Sequence, residues 1–482
     1  MAEKITPRAE DYSRWYLDVI RETDLAENSP VRGCMVIKPY GYRLWEGVQS
    51  GLDRRFKETG HDNAYFPLLI PMSFLQKEAE HVEGFAPELA VVTIGGGKEL
   101  EEPLVIRPTS ETIIGHTYSK WVQSYRDLPL LINQWANVLR WEMRTRPFLR
   151  TMEFLWQEGH TAHATAEEAV EETLRMLDVY AEFAIEDAAI PVVKGKKSNR
   201  EKFAGAVASY TIEAMMGSGW ALQAGTSHYL GDNFARAFDI TYLDQENQTK
   251  FCHTTSWGVS TRMVGGIIMA HGDDQGLRLP PKMAPIQVAI VPIWRKEGEK
   301  ASVMALCEEV FEQLKAAGIR VKLDDRDDQT PGFKFNNWEM RGVPARVEIG
   351  PRDVKKNAVV LARRDRPGKA GKTFGVPVEG LAQSVLELLD EVQASLLEQA
   401  TAHRDANTRF ATSYEQLVAY LGDEQGGFVR AHWAGSDEQE ERIQEETKAT
   451  LRCLPLDTPE GEGTCVVSGE RTKQIALFAR AY

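Results

Sequence analysis

LRWEMRTRPFLRTMEFLWQEGHTAH, residues 139–163, is the stretch on which the fold of this chain turns. Its second half, EFLWQEGHTAH (153–163), is β-rich, and simple alternation sets Phe154, Trp156, Glu158 and His160 on one face. Aromatic rings interleaved with a carboxylate and an imidazole suit the floor of a site better than a dry core. LVIRPTSETI (104–113) and LLINQWANVLRWE (130–142) lie just upstream, equally β-rich and separated by turn-forming or charged stretches. Together the three predict an antiparallel sheet.

Working outward, Leu44, Trp45, Val48, Leu52 and Phe56 recur at helical spacing, so Tyr42 to Phe56 is an amphipathic helix. AYFPLLIP (64–71) follows as a strand carrying Pro67, and a proline removes a ladder donor, so an edge or interface strand is expected. Val259 to Ala270 has the pattern of a helix in which Gly265–Gly266 permits close packing. At HGDDQGLRLPPKMAP (271–285) glycines and prolines cluster and mark a boundary.

Beyond it the rhythm changes. IQVAIVPIW is a buried strand, VMALCEEVFEQLKAAG a helix closed by Gly318, and IRVKLDD a strand. Thr330–Pro331 is an N-cap and first-turn pair, ARVEIG and AVVLARRD are further strands, and a long helix covers about 379–404. Such alternation makes a separate α/β domain. The division is therefore 1–283, 284–405 and 406–482, with a small acidic unit last and no internal repeat.

With 43% hydrophobic and 27% charged residues the composition is that of a globular protein, and no apolar run approaches the roughly 20 residues of a membrane span. The opening MAEKITPRAEDYSRW lacks the apolar stretch of a secretory signal, and five scattered cysteines suit a reducing compartment, so a cytoplasmic location without membrane partners is expected. A net charge of −14 opposes general polyanion binding. Between Arg320 and Ala370, however, thirteen Lys or Arg face eight Asp or Glu, a local excess of five that suits either a solvated face or a nucleic-acid contact.

Three fragments, GLDRRFKETGHDNAYFPLLIP (51–71), the opening stretch, and SWGVSTRMVGGIIMAHGDDQGLRLPP (256–281), resemble in order motifs 1, 2 and 3 of the class II aminoacyl-tRNA synthetases. RPTSET (107–112), RWE (140–142), FLWQEGHTAH (154–163) and GTSH (225–228) are similar to the prolyl enzymes in particular. The resemblance runs from about Asp11 to Tyr482. It implies an antiparallel-sheet catalytic domain, an α/β anticodon-binding domain and a small α+β C-terminal domain. The implied reaction is ATP-dependent activation of L-proline and its transfer to tRNA(Pro), with Mg2+ accompanying ATP.

Adenylate formation leaves protein groups little beyond positioning and charge neutralisation, so arginines are expected around the phosphates. The resemblance assigns Arg140 to the α-phosphate and the amino-acid carboxylate, and Arg262 to the γ-phosphate. Glu142, Arg150, Thr151, Gln223 and Thr226 are implied as nucleotide contacts; Met152 departs from the arginine of many relatives. Thr109 and Glu111 match the amine-binding pair, although Glu111 also suits a helix-start carboxylate. His228 matches a pocket residue, and Trp156, Glu158 and His160 would form the floor.

About 90 residues separate His163 from Ser256, which leaves no room for an inserted editing domain. Glu339, Arg346 and Asp353 match positions that read anticodon guanines, with Arg363 or Arg364 assisting. In the last unit Ala434, Gln439, Cys465 and Ser468 fall where relatives hold zinc with four cysteines, so no structural zinc is expected. Tyr482 matches a terminus that folds back toward the site, a frayed end being the alternative. Motif 1 around Pro67 implies a homodimer interface. A sister synthetase for threonine, glycine or histidine, and a non-catalytic tRNA-binding paralogue, are the competing readings; the prolyl-type motifs and the intact phosphate-binding arginines disfavour them.

Overall fold

The computed structural model describes residues 5–81, 89–423, 426–457 and 461–482. It opens with α1 (Tyr12–Glu22), whose N-terminus is capped by the Asp11 carboxylate accepting the Arg14 N–H at 2.9 Å. In α2 (Pro39–Glu58) the apolar positions anticipated from spacing, Leu44 through Phe56, are all buried.

The expected strand over 64–71 is shorter than its apolar run. Only β1 (Asp62–Asn63) and β2 (Leu69–Pro71) are extended, and Pro67 lies in the irregular connection between them. At Phe66 the main chain bonds side chains instead of a ladder: its N–H donates to Gln134 Oε1 at 2.5 Å, and its carbonyl accepts from Arg107 at 2.7 Å. β3 (Val91–Gly95) and β4 (Lys98–Ile106) complete a small sheet with β2. Here too LVIRPTSETI is only half strand, since β4 stops at Ile106 before Pro108 and α3 (Glu111–Trp121) starts at Glu111.

The site rests on β5 (Leu130–Leu139), β6 (Glu153–His163), α4 (Ala166–Glu186), β7 (Val192–Lys196), β8 (Ala208–Met215), β9 (Ala221–Gly231) and β10 (His253–Ser260). All pairings from β5 through β10 and back to β7 are antiparallel, and β6 is central, with Gln157 facing Trp135 on one side and Val259 on the other. The helix expected from Val259 starts later: Val259 is the buried penultimate residue of β10, and α5 is Arg262–His271. Its two glycines do pack closely, for a Cβ on Gly265 would stand 2.6 Å from Leu149 Cδ2.

A five-stranded sheet follows, formed by β11 (Val288–Pro292), β12 (Val321–Leu323), β13 (Ala345–Ile349), β14 (Ala358–Arg363) and β15 (Lys372–Pro377) in the order β12-β11-β13-β14-β15. Helices α6 (Glu297–Ala316), α7 (Pro331–Met340), α8 (Pro351–Lys356) and α9 (Leu381–Ala406) surround it, and Thr330 caps α7 ahead of Pro331 as the sequence indicates. The last unit contributes β16 (Thr408–Ala411), β17 (Phe428–His432), β18 (Thr450–Pro455) and β19 (Ile475–Ala479). β18 pairs with β7, so these strands extend the catalytic sheet to eleven, in the order β16-β17-β19-β18-β7-β8-β9-β10-β6-β5-β1. Among the described residues no helix is long and apolar enough to cross a membrane.

Candidate active site

A cavity of about 260 Å³ opens on the sheet between β6 and β9, walled by the segment ahead of α3. Thr109, Glu111, Arg140, Trp156, Glu158, His160, Gln223, Thr226 and His228 all line it. Pleating explains why one strand supplies Trp156, Glu158 and His160 together.

Glu158 is buried and fully engaged. Oε1 accepts from Ser110 Oγ at 2.5 Å and Gln134 Nε2 at 2.8 Å, and Oε2 lies 3.0 Å from His160 Nε2. Burial alone would raise its pKa, but the His160 contact and these donors hold it below the usual glutamate value. For His160 burial works against the charge, and the hydrogen bond and charge of Glu158 win, raising its pKa. The floor is thus a hydrogen-bonded imidazole–carboxylate pair in which each partner favours the charged form of the other.

On the adjacent wall Thr109 Oγ1 donates to Glu111 Oε2, and Glu111 is also the first residue of α3, although the Ser110 side chain makes no capping hydrogen bond there. Arg140 Nε donates to the Pro108 carbonyl at 2.9 Å, while its guanidinium lies 5.3 Å from the Trp156 ring centre and 5.6 Å from that of Phe154. A planar cation held by one carbonyl and two rings is fixed in orientation, with further N–H donors in hand. His228 Nδ1 is 2.8 Å from Ser209 Oγ, and its ring stacks on Phe203 at 4.8 Å. Burial, helped by Lys197 and His160, pushes its pKa down to about 3, so it is neutral.

Arg262 does not line this cavity but stands at its edge, Nε donating to the Leu149 carbonyl at 3.1 Å and Nη1 lying 3.5 Å from the carbonyl of cavity residue Gln223. Burial and the like charges of Arg140, Arg452 and Arg150 lower its pKa to about 10. Arg140 in the lining and Arg262 at its edge thus place two like charges close together, a ready anion site. Glu142 and Arg150 pair at 2.5 Å outside the lining, and Thr151 Oγ1 donates to the Glu153 carbonyl at 2.7 Å. Met152 is buried and ties the loop down, its carbonyl accepting Arg140 N–H and its N–H reaching the Gly33 carbonyl, both at 2.9 Å.

The α/β unit has its own cavity of about 220 Å³, lined by Glu339, Arg346 and Arg364 among others. Arg346 donates to Glu339 and Glu348 at 2.9 Å each and lies 4.2 Å from the Phe335 ring centre. Asp353 does not join them: its Oδ2 accepts the Gly350 N–H at 2.9 Å and starts α8. At the chain end Tyr482 N–H donates to the Ala221 carbonyl at 3.1 Å, its hydroxyl meets Ser218 at 2.8 Å, and the Arg146 guanidinium lies 5.4 Å from its ring. The terminus thus lies against the loop joining β5 to β6.

Sequence reasoning missed Lys197, Phe203 and Ser209, which also line the main cavity. They sit in VKGKKSNREKFAGAVAS, where neither spacing nor composition marks a site; only the fold of β7 onto β8 brings them in.

A fold with an antiparallel sheet, a cation-rimmed cavity and motifs 1 to 3 in place defines a class II aminoacyl-tRNA synthetase. Profiles of known families agree. The tRNA synthetase class II core domain (G, H, P, S and T) matches residues 92–271, the anticodon binding domain 287–397, and the prolyl-tRNA synthetase C-terminal domain 414–482. The proline–tRNA ligase of Roseiflexus castenholzii is 61% identical over 482 residues, covering 100% of this chain and 99% of its own. The chloroplastic/mitochondrial proline–tRNA ligase of Arabidopsis thaliana is 58% identical, covering 99% of this chain and 88% of its own. The crystal structure of prolyl-tRNA synthetase from Cryptosporidium parvum, complexed with halofuginone and AMPPNP, superposes with a TM-score of 0.94 at 40% identity, covering 99% of both chains. The chain belongs to the prolyl-tRNA synthetase family.

Proposed function

We propose that this chain joins L-proline to tRNA(Pro) in two steps on the cavity just described. The proline carboxylate attacks the α-phosphorus of ATP, forming the acyl–phosphate bond as the α–β anhydride breaks and pyrophosphate leaves. A terminal ribose hydroxyl of the tRNA then attacks the acyl carbon, and AMP leaves. The observation that carries the reading is the convergence of Thr109, Glu111 and Arg140 on one small cavity with a Glu158–His160 floor.

The secondary ammonium of proline is held by Thr109 and Glu111, and its ring lies against Trp156, Glu158, His160 and the neutral His228. Arg140 bridges carboxylate and α-phosphate; Arg262 neutralises the γ-phosphate. Glu142, Arg150, Thr151, Gln223 and Thr226 hold the nucleotide. Glu339 and Arg346 face the anticodon, with Asp353 and Arg364 in support. Among the described residues no group of three or more His, Cys, Asp or Glu could hold a metal ion. Mg2+ arrives on ATP, since this ion is usually held by substrate phosphates and one or two carboxylates; Glu142 is the half-buried carboxylate paired with Arg150. When bound, the ion supplies phosphate charge neutralisation.

The units 1–283, 284–405 and 406–482 divide catalysis, anticodon reading and support. Two copies pair through the segment around Pro67, in the reducing cytoplasm that the five free cysteines suit. ATP–pyrophosphate exchange with proline, alanine and cysteine, beside Arg140→Ala, tests the assignment. Exchange is expected with proline above all, and is expected to be lost in Arg140→Ala. Absence of proline-dependent exchange would end the reading; full activity of the variant would end the role of Arg140.

A further inference from the structure

Beneath the amino-acid cavity three charged side chains are shut away from water. Glu213 on β8 has no exposed surface, and the Lys197 and Arg452 side chains are 3% and 9% exposed. Arg452 comes from β18 of the last unit, 239 residues along the chain from Glu213. Its Nε and Nη2 donate to the two Glu213 oxygens at 3.0 and 3.3 Å. Lys197 Nζ donates to Glu213 Oε1 at 3.1 Å and to the Arg452 carbonyl at 2.8 Å.

Lys197 is also a lining residue of the cavity, and its main-chain N–H donates to the carbonyl of Ser209, whose hydroxyl holds both His228 and the N–H of Phe203. Hydrogen bonds made by the side chains and main chain of Lys197 and Ser209 therefore link Arg452 to the pocket wall. Burying three charges is costly unless each is fixed by another, and removing one partner leaves the others unbalanced in a low dielectric. Glu213 stays ionised although burial opposes it, because Arg452 and Lys197 hold its pKa down.

We propose that Arg452 is a positioning residue for the amino-acid cavity, acting through Glu213 and Lys197, so that the C-terminal unit sets the fit of the substrate from behind the sheet. Arg452 touches no substrate. Its removal would free Lys197 and let the Ser209, Phe203 and His228 wall shift. The idea rests on the proposed proline activation, which the wild-type enzyme tests separately by its own proline-dependent exchange.

The experiment compares full-length Arg452→Met, Arg452→Lys and Glu213→Gln with wild type in pyrophosphate exchange, varying proline and ATP in turn, with active sites counted by adenylate formation. For Arg452→Met the KM for proline should rise on the order of 10-fold while the KM for ATP stays within about 2-fold, the signature of lost ground-state binding at one subsite. The preference for proline over alanine should narrow, and Arg452→Lys should recover part of the loss. An unchanged KM for proline in the folded fraction overturns the proposal, as does an equal rise in both KM values. If Arg452→Met does not fold, the same split is read from Arg452→Lys and Glu213→Gln, and its absence from both overturns the proposal. Wild type inactive with proline would instead sink the functional reading beneath it.

Discussion

Arg364 closes a two-point ion pair on Asp273, its Nη1 and Nη2 lying 2.7 and 2.6 Å from the two carboxylate oxygens. Asp273 sits two residues past the end of α5, the helix that begins with Arg262. Arg364 Nε also holds the Glu339 carbonyl at 2.8 Å, and the Glu339 carboxylate holds Arg346. One buried guanidinium thus ties the cavity of the α/β unit to the helix that begins with Arg262. Asp273→Asn should lower aminoacylation kcat/KM for tRNA by about 10-fold, within the usual range of coupling between sites, with proline-dependent exchange nearly unchanged. Measuring both reactions on one preparation decides it, because a parallel fall would mean that the pair only holds the domains together.

Gly159 is paired across the ladder with Trp257, and a Cβ there would stand 2.1 Å from the indole ring. The ring has nowhere to go: Phe56 lies 5.1 Å away, His61 5.0 Å and Tyr180 6.2 Å, centre to centre. Gly159→Ala should destabilise the chain by roughly 1–3 kcal/mol, the usual cost of overpacking, and raise the KM for proline because Trp257 lines the cavity. Thermal melting with and without proline checks both; a variant melting with wild type would show that the sheet yields.

Glu111 is buried beside Thr109 and faces the cavity. Glu111→Gln keeps the shape and removes the charge that a substrate ammonium would meet. Charge-assisted hydrogen bonds are about twice as strong as neutral ones, so the KM for proline should rise roughly 10- to 100-fold. Exchange kinetics that leave this KM unchanged would move the ammonium elsewhere in the cavity.

Local pattern made part of this architecture legible. Periodicity marked α2, alternation marked the shared face of Trp156, Glu158 and His160, and Thr330–Pro331 marked the start of α7. What failed depended on partners distant in the chain. Pro67 looked like strand because its neighbours are apolar, yet the main-chain groups of Phe66 are taken by Gln134 and Arg107. Val259 fitted a helical stripe, but pairing with Gln157 keeps it in β10. Arg364 carries a charge suited to RNA, and nothing local reveals that Asp273 holds it. Glu213 and Arg452 look like surface charges until β18 is laid beside β7.

Acidity should unfold the chain from several buried imidazoles at once. Burial lowers His228 to about 3 and both His163 and His271 to about 4, so each stays neutral in the fold and gains a proton when exposed. Near pH 5 the unfolded chain therefore binds about three more protons from these groups, and stability rises with pH until about 6.5, the free histidine value. His160, raised by Glu158, acts in the other direction: its contribution is complete below about 6.5 and fades as pH climbs through its own higher value. The melting temperature should thus fall steeply from pH 6.5 to 5, and His271→Gln should flatten that slope by about a third. An unchanged slope would mean that His271 is not neutral in the fold.

Cys465 is held in the last unit by main-chain donors. Its Sγ accepts N–H groups from Ala434 at 3.1 Å and Ser468 at 3.4 Å. Burial opposes ionisation, but these donors and the Ser468 hydroxyl hold its pKa below the ordinary cysteine value. Main-chain donors therefore steady the sulfur. Gln439 is committed to a capping box with Ser436 at the head of the helix Asp437–Thr447, its Oε1 accepting the Ser436 N–H at 3.0 Å. A chelator should leave the melting temperature of the chain unchanged. Ala434→Cys, Gln439→Cys and Ser468→Cys together should lose about 1 kcal/mol of capping without metal and regain stability when zinc is added, since four thiolates make a closed tetrahedral site. Melting of both proteins with chelator and with zinc reads this directly. A fall in the natural chain on chelation would mean that a metal is held there after all, and failure of zinc to rescue the triple variant would mean that the four positions do not converge.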